Sequence, residues 1–305
     1  MTTTRLEFRK LTARIGAEVS GAGPNLELDA DGVAAVRAAL NEHKALVFRD
    51  VRIDDAGQQR FARYFGELTA AHPTIPGESG APNVLAVDSE TNRPINQWHT
   101  DVTFVVSPPQ LSTLRSITIP PYGGETLIAN TGGAYRDLPA PLRDLADTLW
   151  AVHTNGSGYS APSAGSGEAE RERHAVYTRT VYQSVHPVVR VHPLTGERGI
   201  FIGAFVLQIV GLSVGETRDI LRLLQAYVTR PENVLRWRWA PGQLILFDNR
   251  ITQHYAIDNY DDLPRRLNRV TVAGDVPVSV DGKPSHAIKG DAAHYTPVPP
   301  ELAAI

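Results

Sequence analysis

The sequence predicts a mainly β protein with inserted helices, and three observations carry that prediction. Short apolar or alternating runs recur along the 305 residues, each bounded by Gly, Pro, Asn or Asp. Helical periodicity is confined to a few segments. The 25 glycines and 22 prolines supply the many turns that such strands need. A doubly wound α/β chain would alternate strand and helix more regularly.

Taken in order, the spacing predicts a helix over 31–43, a strand over 45–48 and a helix over 55–66. Strands follow over 83–87, 111–117 and 126–129, then a helix over 134–148 and a strand over 188–191. Ser213-Val214-Gly215-Glu216 is a capping box, and Ile220, Leu223, Leu224 and Tyr227 continue it at helical spacing until Pro231 closes the segment. Arg236-Trp237-Arg238-Trp239 alternates as a strand with its tryptophans inside, and 243–247 is the last clear strand. No internal repeat or linker divides the chain, so one domain is expected over 1–305. Residues 155–168 are nearly all small and polar, and charged residues continue to Arg173. A lid at about 155–173 is the functional reading, because long structureless loops in compact domains are often functional. A surface loop is the structural one.

Net charge is −3, with no basic footprint for nucleic acid or an anionic membrane. No apolar run reaches membrane-spanning length and the N-terminus lacks an apolar signal region, so a cytoplasmic protein is expected. The absence of cysteine excludes disulfides, thiolate metal sites and thiol catalysis. Any metal must sit on nitrogen and oxygen. Gly21-x-Gly23 is too short for a dinucleotide fingerprint.

His99 and Asp101 are two apart, so on a strand their side chains would share one face and converge on one ion. A distal His254 completes two histidines and one carboxylate, a facial triad suited to non-haem Fe(II) because it leaves coordination positions open. Arg265 and Arg269 follow, and a guanidinium near such a metal can grip a co-substrate carboxylate through paired hydrogen bonds. Each residue also has a structural reading. The histidines could be core residues, Thr126 an ordinary strand residue, His72 a turn residue before Pro73, and the arginines solvated charges.

Together His99-Thr100-Asp101, Pro108-Pro109, Gly123-Gly124-Glu125-Thr126, Trp239-x-Pro241-Gly242-Gln243, Asp248-Asn249-Arg250-x-Thr252-Gln253-His254 and Arg265-x₃-Arg269 resemble the taurine dioxygenase (TauD/TfdA) family. The resemblance runs from Ile15 to Asp275. It implies a double-stranded β-helix (jelly-roll) core and an enzyme using Fe(II), 2-oxoglutarate and O2. By matching position, it implies His99, Asp101 and His254 as iron ligands. It places Thr126 and Arg265 on the distal carboxylate of 2-oxoglutarate, with Arg269 beside them facing the anionic group of the substrate. His72 and Phe205 line the substrate side, and Val102 makes a backbone contact there. Relatives form dimers or tetramers, so a homo-oligomer is expected. His43, His153, His174, His186, His192, His286 and His294 match no motif and are expected to be surface or structural residues.

Within the family, Arg230-Pro231-Glu232-Asn233-Val234, His254-Tyr255-Ala256-Ile257-Asp258 and Gly274-Asp275-Val276-Pro277 are similar to the alkylsulfatase branch. Ile95 stands where the taurine enzyme carries a polar amide, and Thr74-Ile75-Pro76 lies where it carries a tyrosine. Losing polar partners for an amine favours an alkyl tail. The expected substrate is a small anion, an alkyl sulfate ahead of taurine, other sulfonates or phenoxy acids. A zinc-dependent hydrolase using the same triad is the alternative of another class.

Overall fold

The computed structural model describes residues 5–89, 96–156 and 167–296. Among these, the largest sheet has seven strands. Their spatial order is Glu7–Lys10, Ala17–Ser20, Ala45–Phe48, Leu244–Asp248, Leu111–Thr118, Arg266–Val272 and Val84–Asp88. A smaller sheet orders Val234–Trp237, Thr126–Asn130 and Thr252–Ala256, all antiparallel. These two sheets face each other across one core. Ala45, Val47, Leu114, Ile245, Phe247 and Leu267 from the large sheet pack on Ile128, Leu235 and Trp237 from the small one. Two sheets joined this way are the jelly-roll core that the sequence led us to expect.

The central strands are covered on both faces. Leu46, Phe48, Leu244 and Leu246 point away from the small sheet and meet Val36, Leu40 and Phe61 of helices α1 (Ala30–His43) and α2 (Asp55–Arg63). This explains why 45–48 and 244–247 read as continuous apolar runs instead of alternating ones. Each fully buried Leu, Ile or Phe here contributes roughly 1.5–3 kcal/mol of transfer free energy. Both helices start at an aspartate: Asp29 and Asp54 accept from the backbone N–H of Gly32 and Gly57 at 2.8 and 2.7 Å.

The segment 134–148 forms two helices rather than one, α3 (Thr131–Asp137) and α4 (Ala140–Thr148). Pro139 separates them. It has no N–H to donate, and its ring drives the preceding Leu138 into an extended conformation, ψ 135°. The expected lid divides as well. Residues 157–166 lie outside the described residues, whereas Glu168–Thr178 is a helix, α5. Its Glu, Ala and Arg residues are good helix formers. α6 (Val214–Val228) carries the capping box with both of its reciprocal hydrogen bonds. Trp237 and Trp239 are buried while Arg236 and Arg238 are exposed, as the alternation predicted. No described helix is long and apolar enough to cross a membrane.

Candidate active site

His99 and His254 meet as a backbone bridge between neighbouring segments, His99 N–H to His254 O at 3.1 Å and His254 N–H to His99 O at 2.8 Å. Their ring centroids are 4.0 Å apart. The Nε2 atoms of His99 and His254 lie 3.9 and 3.8 Å from the same oxygen, Oδ1 of Asp101, and one ligand atom from each of the three residues falls within 4.8 Å of the others. His99 Nδ1 donates to the Gln97 carbonyl at 2.8 Å, which leaves its Nε2 as the lone-pair nitrogen.

Electrostatics prepare the same donor set. All three groups are buried. Burial pushes the His254 imidazole down to about 3, and His99 beside it adds to the effect. Burial lowers His99 too, so both rings are neutral, the form that binds metal. Burial alone would raise the Asp101 carboxyl. The Arg269 guanidinium, then His254 and His99, outweigh it and hold the group well below the usual carboxylate range. Two neutral imidazole nitrogens and one ionised carboxylate oxygen fit a single Fe(II) with open positions.

The route to this convergence differs from the expected one. Asp101 does not share a strand face with His99; it opens a turn that runs to Phe104. Val102, the next residue, is buried with φ +55°, a backbone conformation a β-branched residue adopts only where its surroundings demand it. Part of that demand comes from Asn249. Its Oδ1 accepts the Asp101 N–H at 2.8 Å, and its Nδ2 donates to the carbonyls of Asp101 and Pro109 at 3.1 and 2.9 Å.

Thr126 and Arg265 come together beside this cluster. Arg265 Nε donates to the Gly124 carbonyl at 2.8 Å and Nη2 reaches Thr126 Oγ1 at 3.4 Å, while Trp239 Nε1 donates to the same hydroxyl at 2.9 Å. The two glycines before Thr126 are required here. Gly123 and Gly124 have φ of +70° and +66°, and a Cβ on Gly124 would sit 2.9 Å from the Arg265 side chain. Arg265 is buried, and among the described residues no carboxylate pairs with it. A buried guanidinium whose described partners are neutral can take an anion.

Arg269 behaves differently. Its Nη1 donates to Asp101 Oδ1 and its Nη2 to the Ala71 carbonyl at 3.3 Å, next to His72. His72 Nδ1 accepts the backbone N–H groups of Thr74 and Ile75 at 3.1 and 3.3 Å, so the ring proton is on Nε2. Burial, reinforced by Arg269, pushes the His72 imidazole down to about 3. Its ring lies 5.3 Å from that of Tyr177 and 5.8 Å from that of Phe104. Phe205 meets His99 edge-on at 5.9 Å and Phe104 at 5.1 Å. All nine residues that the sequence singles out are buried.

Four contributors escaped the sequence reading. Tyr177 arrives on α5, where no periodicity was evident, and Phe104 sits two residues beyond the strained Val102. Ser112 donates its hydroxyl to Asp101 Oδ2 at 2.7 Å from an unremarkable strand run. Asn249 lies inside the quoted Asp248-Asn249-Arg250 motif, the only one of the four with a signal. The structural histidines are as expected: His153 and His186 bond Thr103, and His192 bonds Asp248.

Residues 7–271 match the model of the taurine catabolism dioxygenase TauD, TfdA family. An alpha-ketoglutarate-dependent sulfate ester dioxygenase of Pseudomonas putida is 47% identical over 93% of this chain and 95% of its own length. An alkylsulfatase of Acinetobacter baylyi is 42% identical over 99% of this chain and 93% of its own. Among solved structures, a taurine dioxygenase from Burkholderia xenovorans superposes with a TM-score of 0.80 at 38% identity, covering 95% of this chain and 98% of that one. With a family match over most of its length and a triad that fits iron, this chain belongs to the TauD/TfdA family of Fe(II)- and 2-oxoglutarate-dependent dioxygenases.

Proposed function

We propose that this dioxygenase oxidises the carbon that bears a sulfate ester, converting an alkyl sulfate, O2 and 2-oxoglutarate into an aldehyde, sulfate, succinate and CO2. One observation carries the substrate reading. Arg269 and His72, the groups able to donate to an anion, stand beside an aromatic wall, with Phe104 and Tyr177 on His72 and Phe205 on Phe104. Val102, Val105 and Tyr182 extend that wall. A charged head and an apolar tail are what such a site accommodates. An ammonium group would lose its hydration there without gaining a partner. The two relatives that act on sulfate esters, by their names, support the same reading. Ile95, which pointed to it from the sequence, lies outside the described residues.

In this proposal His99, Asp101 and His254 hold Fe(II) through Nε2, Oδ1 and Nε2. Thr126 and Arg265 hold the distal carboxylate of 2-oxoglutarate. His72 Nε2–H and Arg269 donate to the sulfate oxygens, and Val102 and Phe205 shape the pocket between sulfate and iron. When bound, the iron with 2-oxoglutarate and O2 supplies the oxidising chemistry that replaces one C–H by C–OH. The rest is geometry: the anion clamp presents one carbon, and the aromatic wall excludes water from it. The hydroxylated carbon then carries both hydroxyl and sulfate, and it collapses to the aldehyde as sulfate leaves.

The test is a panel of alkyl sulfates, taurine and other sulfonates, and phenoxy acids, given Fe(II), ascorbate and 2-oxoglutarate. Sulfate and succinate should appear together with alkyl sulfates. Turnover of taurine alone would reject the substrate class. Anaerobic sulfate release without 2-oxoglutarate would instead point to a hydrolase.

A further inference from the structure

The Asp101 carboxylate has two oxygens, and they are committed to different neighbours. Oδ1 faces Nε2 of both His99 and His254 and accepts from Arg269. Oδ2 accepts the Ser112 hydroxyl at 2.7 Å. The direction of that bond is unambiguous, because an ionised carboxylate can only accept. Ser112 is fully buried on the strand Leu111–Thr118, with Phe247 and Thr271 as its register partners. Alternation turns Ser112 to the same face as Leu114, the face toward the small sheet. Behind the carboxylate, Asn249 holds the Asp101 main chain at both its N–H and its carbonyl. The side chain can therefore neither translate nor turn about its last bond without losing a buried, charge-assisted hydrogen bond.

A facial triad is useful because it occupies three positions of the metal and leaves the others for co-substrates. A carboxylate that chelated through both oxygens would take one of those positions. We propose that Ser112 is a positioning residue that keeps Asp101 a one-oxygen ligand, with Asn249 fixing the backbone from which it reaches. The hydroxyl draws Oδ2 away from the point where the two Nε2 atoms meet. A sequence scan for ligands passes over such a residue, since Ser112 lies in the large sheet while His254 lies in the small one, and it carries no charge. This inference rests on the assignment of His99, Asp101 and His254 as the metal ligands.

The experiment compares the wild-type protein with Ser112→Ala and Ser112→Thr, without O2. Co(II) replaces Fe(II), since its visible absorption reports coordination number. Titration with Co(II) measures metal affinity, calorimetry of the Co(II) protein measures 2-oxoglutarate affinity, and melting of the metal-free protein measures the fold. For Ser112→Ala we expect Co(II) binding to persist with an altered spectrum, and 2-oxoglutarate affinity to fall about tenfold. Ser112→Thr, which restores a hydroxyl, should recover both the spectrum and the affinity. An unchanged spectrum and unchanged 2-oxoglutarate affinity in Ser112→Ala would overturn the inference. So would parallel losses of Co(II) binding, 2-oxoglutarate binding and melting temperature, which would mark Ser112 as a packing residue. If the wild-type protein itself bound no Co(II), the ligand assignment would fail first, and that outcome is distinct from the other two.

Discussion

Arg265 immediately precedes the strand Arg266–Val272 and Arg269 lies at its middle, yet their surroundings are opposite in kind. Arg265 lies in a frame built from strand and tight turn. Gly123-Gly124 lets the backbone approach it, Thr126 opens the strand beside it, and Trp239 fixes the shared hydroxyl. Its described partners are neutral, which leaves its charge able to take the carboxylate assigned to it in the proposed function. Arg269 already holds a carboxylate, that of Asp101, and its surroundings are loops and helix: the His72 turn, Tyr177 on α5, and Tyr295 from the C-terminal segment. The first region suits a co-substrate that never changes. The second suits a substrate that differs between relatives, because loops and loop-borne aromatics vary without disturbing the sheet. Under the proposed function, the difference separates constant chemistry from adjustable specificity.

The strongest way to break that comparison is to exchange the losses. Arg265→Ala should weaken 2-oxoglutarate about 100-fold, since it removes one partner of a buried ion pair, and should leave alkyl sulfate affinity nearly intact. Arg269→Ala should do the reverse and also weaken Fe(II), because Asp101 loses the first of the charges that hold it ionised. Measuring KM for both substrates in both variants decides it, and equal effects would reject the division. A smaller effect tests the adjustable region. Tyr177→Ala and Phe205→Ala should each lower kcat/KM about tenfold for long-chain sulfates and less for short ones, with the KM for 2-oxoglutarate unmoved. Loss of 2-oxoglutarate affinity instead would place these rings in the wrong region.

A separate test, on stability instead of activity, comes with pH. His72 and His254 have folded values near 3, below the ordinary value of 6.5. Between those limits the unfolded chain takes up protons that the folded chain refuses. Stability of the metal-free protein should therefore fall as pH drops below about 6.5, by about 1.4 kcal/mol per pH unit for each such histidine. Urea midpoints from pH 7 to pH 5 give the slope. Co(II) should shift the whole curve upward, because it binds only the folded, unprotonated triad. A metal-free slope of zero would mean that neither ring is buried in neutral form.

Much of this was legible in the chain because local patterns repeat the tertiary demand. The runs 45–48 and 244–247 are apolar throughout because both faces of those strands are covered. The Ser213 capping box forms a helix because its bonds are made within one turn. The glycine pair before Thr126 and the spaced arginines led, through the family resemblance, to the expectation of a carboxylate site, and the fold brings Thr126 and Arg265 together. Where two local signals compete, the reading loses precision: periodicity carried a helix through 134–148, and Pro139 divided it. Spacing led us to expect His99 and Asp101 on one strand face, whereas a turn at Val102 aims the carboxylate toward the histidines.

The sequence by itself determined the fold class, the candidate metal donors and, through the lack of cysteine, that any such donors are nitrogen and oxygen. Only the tertiary structure decided how the donors are aimed and what surrounds them. Ser112, Asn249, Tyr177 and Phe104 act through distances to residues remote in the chain or across an irregular turn. Hydrogen bonds and ring contacts of that kind depend on where strands pair and helices dock, and no residue's own chemistry records it.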